Sequence, residues 1–210
     1  MRCNLNRLPE QDRCLWTAFG RKVLKMKTGH PLERILQDYE YNKDRFWRSE
    51  LQYYKCLPNL SMALEEAGLF HKDATHRGNH QRRILKTSRD FFAKGLCSDK
   101  IKTRIEKSEN FEVLYKIVDE LRGLGIGKLT VYDTTMRLGA FLEKQKRKRF
   151  RPLGVYLHNG AMDGAKKLLS RGLIQGPLSS VVSIDVFSDI FPGLETWEIE
   201  EVLCLYKHNF

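Results

Sequence analysis

LRGLGIGKLTVYDTTMRLGAFL, the segment from Leu121 to Leu142, sets the architecture expected for this chain. An apolar-periodic segment ends at a turn containing Gly123, Gly125 and Gly127, and a second such segment begins directly after it. Glycine adopts the positive φ values and allows the close backbone approach that a tight turn between two helices needs. The segment therefore predicts two helices joined by a hairpin.

The start of the second helix is a predicted phosphate site. The N–H groups of residues 126–130 would point outward from a helix N-terminus, which favours a bound anion, and Lys128 adds a positive charge beside them. Glycine-bearing turns between helices are also ordinary structural features. A turn that binds nothing is the alternative.

The hairpin resembles that of helix-hairpin-helix DNA-binding proteins. Their pattern x-Gly-Ile/Val-Gly-x-x-Thr is matched here by Leu124, Gly125, Ile126, Gly127 and Thr130. Gly123 stands where the family usually carries an apolar residue. The resemblance implies DNA contacts from Gly125, Gly127, Lys128 and Thr130.

The composition favours a polyanionic partner, and DNA is the partner we expect. Among 210 residues, 37 Lys and Arg outnumber 26 Asp and Glu, giving a net charge of +11. No apolar run approaches the roughly 18 residues of a membrane span, and the first residues lack the apolar core of a signal peptide. We expect a cytoplasmic protein without membrane association, and the oligomeric state stays open.

The cysteines suggest neither a disulfide framework nor a zinc site, because none of the five lies in a C-x-x-C pair. The iron–sulfur cysteine loop of some helix-hairpin-helix glycosylases is absent from the sequence as well. We expect no metal and no cofactor.

Apolar residues recur at helical spacing through most of the chain, so we expect an all-α helical bundle with a helix-hairpin-helix motif near residues 111–144. Helices are predicted at residues 10–27, 31–57, 59–67, 99–107, 111–122, 128–144 and 160–170. Thr196 is the expected cap of the last helix, and Asn110 that of the helix at 111–122. Gly68 should end the helix at 59–67, and Gly172 the helix at 160–170. Residues 173–195 are apolar but irregular, and only short turns are expected there. An N-terminal helical part, 1–108, and a hairpin-bearing part, 109–210, should pack as one compact unit.

Two basic runs are further candidates for binding the DNA backbone. Residues 71–89 open with a loop and then begin a helix, whose expected apolar positions are Ile84, Leu85, Phe91 and Phe92. The candidate phosphate ligands at that junction are Arg77, His80, Arg82 and Arg83. The second run, residues 143–151, offers Lys146, Arg147, Lys148 and Arg149. A solvated charged face or a solubilising linker is the alternative for each run.

Asp133 is the first candidate for chemistry. On the helix after the hairpin its neighbours are mostly apolar, so the carboxylate must find a partner or shift its pKa. The simpler interpretation is an ion pair with Arg137, one turn further along the same helix.

The segment VYLHN, residues 155–159, carries a second resemblance. In helix-hairpin-helix DNA glycosylases the hairpin is followed by a Val-Asp-Thr-His segment whose Asp stabilises the charge on the sugar or activates water. Here His158 matches the family His, but Tyr156 stands at the catalytic Asp. The position of the family's Schiff-base lysine is Leu129, so a lyase step is not expected.

The leading interpretation is a monofunctional DNA glycosylase that flips a modified base and cleaves its N-glycosidic bond. Asp133 or Asp163 would supply the carboxylate, while Tyr156, His158 and Asn159 would contact the sugar, the phosphate or the base. Phage defence, by excision of a base such as glucosylated hydroxymethylcytosine, is a setting that suits the resemblance. The runner-up is a non-catalytic DNA-binding module, and an RNA-binding protein is less favoured.

Overall fold

The computed structural model describes residues 32–45, 47–69 and 84–210. Within these ranges the chain is mostly helical, which confirms the all-α prediction. The helices are α1 (Leu32–Asn42), α2 (Trp47–Cys56), α3 (Leu60–Leu69), α4 (Lys86–Leu96), α5 (Asp99–Lys107), α6 (Phe111–Asp119), α7 (Lys128–Lys146), α8 (Asn159–Ser170) and α9 (Thr196–Leu205). Single 3₁₀ turns lie at Lys43–Arg45 and Ile184–Val186. No helix in the described part is long and apolar enough to cross a membrane.

Two compact units make up the described chain. Among the described residues, 44–151 form the hairpin unit, and 32–43 together with 152–210 form the discontinuous unit. The sequence suggested a different division, into parts 1–108 and 109–210. That division stays a prediction.

The hairpin unit is built around α7. All residues from Thr130 to Leu142 are buried, and α2, α3 and α6 pack against this helix. A helix that is covered on every side has no polar face to give to water. Polar side chains on α7, such as Asp133 and Arg137, must therefore find partners inside the protein.

The discontinuous unit joins α9 to α8 and to a short sheet. Strands β1 (Val155–Tyr156) and β2 (Val181–Val182) pair antiparallel, with Val155 opposite Val182. Helix α1 is tied to α9 by a hydrogen bond of 2.8 Å from the Tyr39 hydroxyl to the Glu201 carboxylate. Only short turns were expected in residues 173–195, where β2 lies. A strand of two residues carries almost no periodic signal in the sequence.

Several local predictions are confirmed. The bounds of α5 are those expected, and the Asn110 side chain accepts a hydrogen bond of 2.9 Å from the Val113 N–H as the predicted cap of α6. After α8, Gly172 has a φ of +69°. The Leu173 N–H then donates to the Leu168 carbonyl at 3.0 Å, which is the bond of a left-handed helix end.

Three predictions of this kind are wrong. Gly68 lies inside α3, where a Cβ would stand 2.8 Å from Ala93 Cα, so this glycine permits close helix packing. Glu195 is the cap of α9, and the Thr196 hydroxyl instead donates to the Pro152 carbonyl at 2.7 Å. Leu85 and Phe91, expected to be buried, are exposed. The predicted helix at residues 10–27 lies outside the described residues.

The contact between α8 and α9 predicts that Gly164→Ala destabilises the protein. A Cβ at Gly164 would lie 2.3 Å from the Leu203 carbonyl oxygen, so the two helices would have to separate. Overpacking of this kind costs about 2 kcal/mol or more in the free energy of unfolding. The measurement is the unfolding midpoint in urea.

Gly123→Ala is the matched control, because this glycine lies outside the helices and a Cβ there would make only ordinary contacts, 3.9 Å from the Phe91 ring. An unchanged midpoint for Gly164→Ala would show that α8 and α9 do not approach this closely.

Candidate nucleic-acid interface

The connection between α6 and α7 is short and bends at Gly125. This residue has a φ of +83°, and the Ile126 N–H donates to the Gly123 carbonyl at 3.1 Å, closing the turn. Ile126 is buried under the turn, whereas Leu124, Gly125 and Gly127 face solvent. The expectation that the Ile126 N–H points outward is wrong, because the turn itself uses this donor.

Helix α7 presents its N-terminus at this turn. Gly127 is the cap residue and has no side chain that could accept a hydrogen bond from the first helical N–H groups. The Val131 N–H already donates to the Gly127 carbonyl at 3.2 Å. The first helical N–H groups, those of residues 128–130, have no acceptor within the helix one turn before them, and the exposed side chain of Lys128 lies beside them. Thr130 itself is buried, so its hydroxyl does not face solvent.

We call Gly125, Gly127 and Lys128 the hairpin surface. Helix α4 supports it from behind. A Cβ at Gly125 would lie 3.0 Å from Ser88 Oγ, and a Cβ at Gly95 would lie 3.1 Å from Leu121 Cδ2. The turn and the residue Leu121 before it therefore pack closely against α4, and this contact gives the turn a defined shape.

The basic run at the end of α7 is exposed, and its first member also contacts the protein. Lys146 Nζ donates to the Ser108 carbonyl at 2.5 Å and lies 5.5 Å from the centre of the Phe150 ring. Partial burial, followed by the neighbouring Lys148, lowers the pKa of Lys146. Arg147 ends the helix with a φ of 50°. Lys146, Arg147, Lys148 and Arg149 all lie at the protein surface.

Asp133 lies in a buried charged cluster. Asp133 is 4% exposed, and Arg137, one turn further along α7, is 2% exposed. Arg137 Nε bonds to Glu50 Oε1 of α2 at 2.5 Å, a pairing that sequence reasoning did not find. The available signal was the position of Glu50 in the sequence. This acidic residue lies four residues before Tyr54 and next to Leu51, two apolar positions of α2 that are buried.

Electrostatics keep Arg137 charged. Burial alone would lower the pKa of Arg137, but Glu50, and after it Asp133, raise it above its ordinary value. Burial also raises the pKa of the Tyr54 hydroxyl, so Tyr54 stays neutral. Asp133 thus interacts with Arg137 as the simpler interpretation expected, and Arg137 also binds Glu50.

The other candidate catalytic residues lie in the discontinuous unit. Tyr156 is on β1 and buried, with its ring 6.0 Å from that of His158. His158 caps α8, and its carbonyl accepts a hydrogen bond of 2.7 Å from the Met162 N–H. Asn159 and Asp163 are exposed on the first turns of α8.

The structure brings Tyr156, His158 and Asn159 together at the start of α8, and it brings Gly125, Gly127 and Lys128 together at the hairpin surface. Asp133 belongs to the hairpin unit, and Asp163 to the discontinuous unit. Arg77, His80, Arg82 and Arg83 lie outside the described residues. Among the side chains that the structure describes, no group of three His, Cys, Asp or Glu could hold a metal ion.

Comparisons of the chain with protein-family models, with curated proteins and with solved structures found no match.

The buried pair predicts a large loss of stability when one partner is removed. Glu50→Ala removes the carboxylate that is hydrogen-bonded to the buried Arg137 guanidinium, which costs about 3 kcal/mol or more in the free energy of unfolding. The triple variant Glu50→Leu, Arg137→Met and Asp133→Asn should recover most of that loss, because it buries no charged group of this cluster. Chemical denaturation of both variants measures the difference.

Glu120→Ala serves as the control. It removes the partner of Arg104 in an exposed ion pair, and such pairs contribute little to stability. Equal effects of Glu50→Ala and Glu120→Ala would contradict the assignment of a buried pair at Arg137.

Proposed function

We propose that this chain binds DNA, with the hairpin surface holding the phosphate backbone. The observation that carries the proposal is the exposed N-terminus of α7, where glycine at the cap leaves backbone N–H donors open and Lys128 adds a positive charge. Backbone N–H groups and the helix dipole together favour a phosphate oxygen at such a site.

The distribution of charge supports a nucleic acid over a small anion. The chain carries a net charge of +11, and Arg147, Lys148 and Arg149 are exposed at the far end of the helix that begins at the hairpin. A helix rises about 1.5 Å per residue, so α7 separates its two basic ends by about 27 Å. A long polyanion is the kind of partner that contacts positive charge spaced in this way.

Lys128→Ala should weaken DNA binding and reduce its dependence on salt. Loss of one phosphate contact lowers the slope of log K against log salt by about 1 and weakens binding of all sequences alike. Fluorescence anisotropy with a labelled duplex over a range of salt concentrations measures both quantities.

Lys166→Ala is the matched control, because Lys166 is equally exposed on α8 and is not part of the hairpin surface. The same loss of slope for both variants would mean that net charge alone, and not the hairpin, binds the DNA.

The second candidate function is that of a monofunctional DNA glycosylase. The observation that favours it is Asp133, a carboxylate buried on the helix that begins at the hairpin and interacting with Arg137. Its low exposure favours electrostatic stabilisation of an oxocarbenium-like centre over activation of bulk water. The bond from C1′ to the base nitrogen breaks, the electron pair leaves with the base, and water adds at C1′ to give an abasic site.

The features of the glycosylase resemblance limit the reaction further. Leu129 stands at the position of the family lysine, so the product is an abasic site without strand cleavage. The base would be flipped out of the duplex before cleavage. Excision of a modified cytosine from phage DNA, such as glucosylated hydroxymethylcytosine, is the setting we propose for this activity.

Asp133→Asn should abolish base release and preserve DNA binding, since the amide removes the negative charge with little change in volume. Genomic DNAs of different base modification, including a heavily modified phage DNA, are incubated with protein and assayed with an aldehyde-reactive probe. Thermal unfolding of the variant confirms that the buried cluster still folds.

Asp163→Asn is the comparison variant, because Asp163 is the exposed carboxylate of α8. Release lost only in Asp163→Asn would assign the reaction to that residue. Abasic sites in no DNA, together with salt-sensitive binding by the wild-type chain, would leave a non-catalytic DNA-binding protein.

A further inference from the structure

Two large apolar side chains stand exposed beside the hairpin surface. Leu124, next to Gly125 in the turn, is 94% exposed, and Phe91 of α4 is 69% exposed. A Cβ at Gly123 would lie 3.9 Å from two atoms of the Phe91 ring, so the ring adjoins the turn. We call Phe91 and Leu124 the apolar pair.

Position 123 has no side chain that could contact the Phe91 ring. A Cβ there would make an ordinary van der Waals contact with the ring edge, so glycine leaves this edge without a neighbour from position 123. Leaving a phenylalanine side chain in water forgoes about 1.5–3 kcal/mol of stabilisation. The exposed ring therefore has no evident role in holding the hairpin unit together.

Exposed lysines lie on the same elements as the apolar pair. Lys94 lies three residues after Phe91 on α4, Lys86 is exposed on the same helix, and Lys128 stands three residues beyond Gly125. Residues three apart on a helix are neighbours on its surface. An apolar site bordered by lysines complements a partner whose apolar surface is bordered by negative charge.

We propose that the apolar pair packs against deoxyribose and base surfaces of the DNA whose phosphates the hairpin surface holds. In a duplex, Phe and Leu side chains reach base faces by inserting as apolar wedges at a base step, and every such step is flanked by phosphates. Phe91 supplies the ring, and Leu124 supplies an aliphatic contact at the tip of the turn. The inference rests on the proposed DNA binding and adds a contact that is independent of charge.

A contact that does not depend on charge should change the affinity for DNA without changing its dependence on salt. Phe91→Ala and Leu124→Ser should each weaken binding of a labelled duplex about 5- to 30-fold at every salt concentration, with the salt slope unchanged. Phe91→Tyr should bind as the wild-type chain does, because it keeps the ring. Gly123→Leu should also weaken binding, since its side chain would cover the ring while its Cβ makes only ordinary contacts.

Leu153→Ser is the matched control, because this leucine is 79% exposed and lies in the discontinuous unit. Wild-type affinity for both Phe91→Ala and Leu124→Ser would overturn the inference. If wild-type protein showed no salt-dependent binding and Lys128→Ala changed nothing, the proposed function itself would fail. A wild-type dimer that Leu124→Ser converts to a monomer in gel filtration would show a second copy as the occupant and would overturn the inference as well.

Discussion

Placing an arginine in the middle of a fully covered helix is the constraint on which the hairpin unit depends. Arg137 is buried, and its guanidinium is neutralised by Glu50 from α2 and by Asp133 from its own helix. A hydrophobic contact would tolerate sliding of one helix along another, but a charge pair at 2.5 Å does not. The pair therefore sets the register of α2 on α7, at a desolvation cost that an apolar pair would avoid.

A fixed α7 also fixes the hairpin. The helix is buried from Thr130 onward, yet Lys128 and the cap residue Gly127 remain exposed at its N-terminus. Exposed donors at the end of a rigid, buried helix keep their direction without any cost of ordering a flexible loop. Helix α4 adds support from the other side of the turn, through Ser88 beside Gly125. The proposed phosphate site is in this sense prearranged by the core.

Local signals were sufficient for much of the all-α fold. The bounds of α5, the Asn110 cap and the helix end at Gly172 depend on residues within a few positions of one another, so periodicity and turn chemistry predict them. The Glu50–Arg137 pair joins residues 87 apart, and no local pattern predicts a partner at that distance. The prediction for Phe91 was wrong for a related reason. Helical spacing identifies an apolar position, but only tertiary packing determines whether a neighbour covers the side chain.

The course of the chain through the discontinuous unit has a consequence for its synthesis on the ribosome. The hydrogen bond between Tyr39 and Glu201 joins residues 162 apart, and the whole of the hairpin unit lies between them. At roughly 5–20 residues per second, α1 waits about 8–30 s for α9 to be translated. The hairpin unit is contiguous in the described chain from Asp44 and can complete its core during that interval. During that interval the side chains of Ile35 and Tyr39 on nascent α1 lack the cover of α9, and apolar surface exposed in this way is what makes a folding chain prone to aggregate.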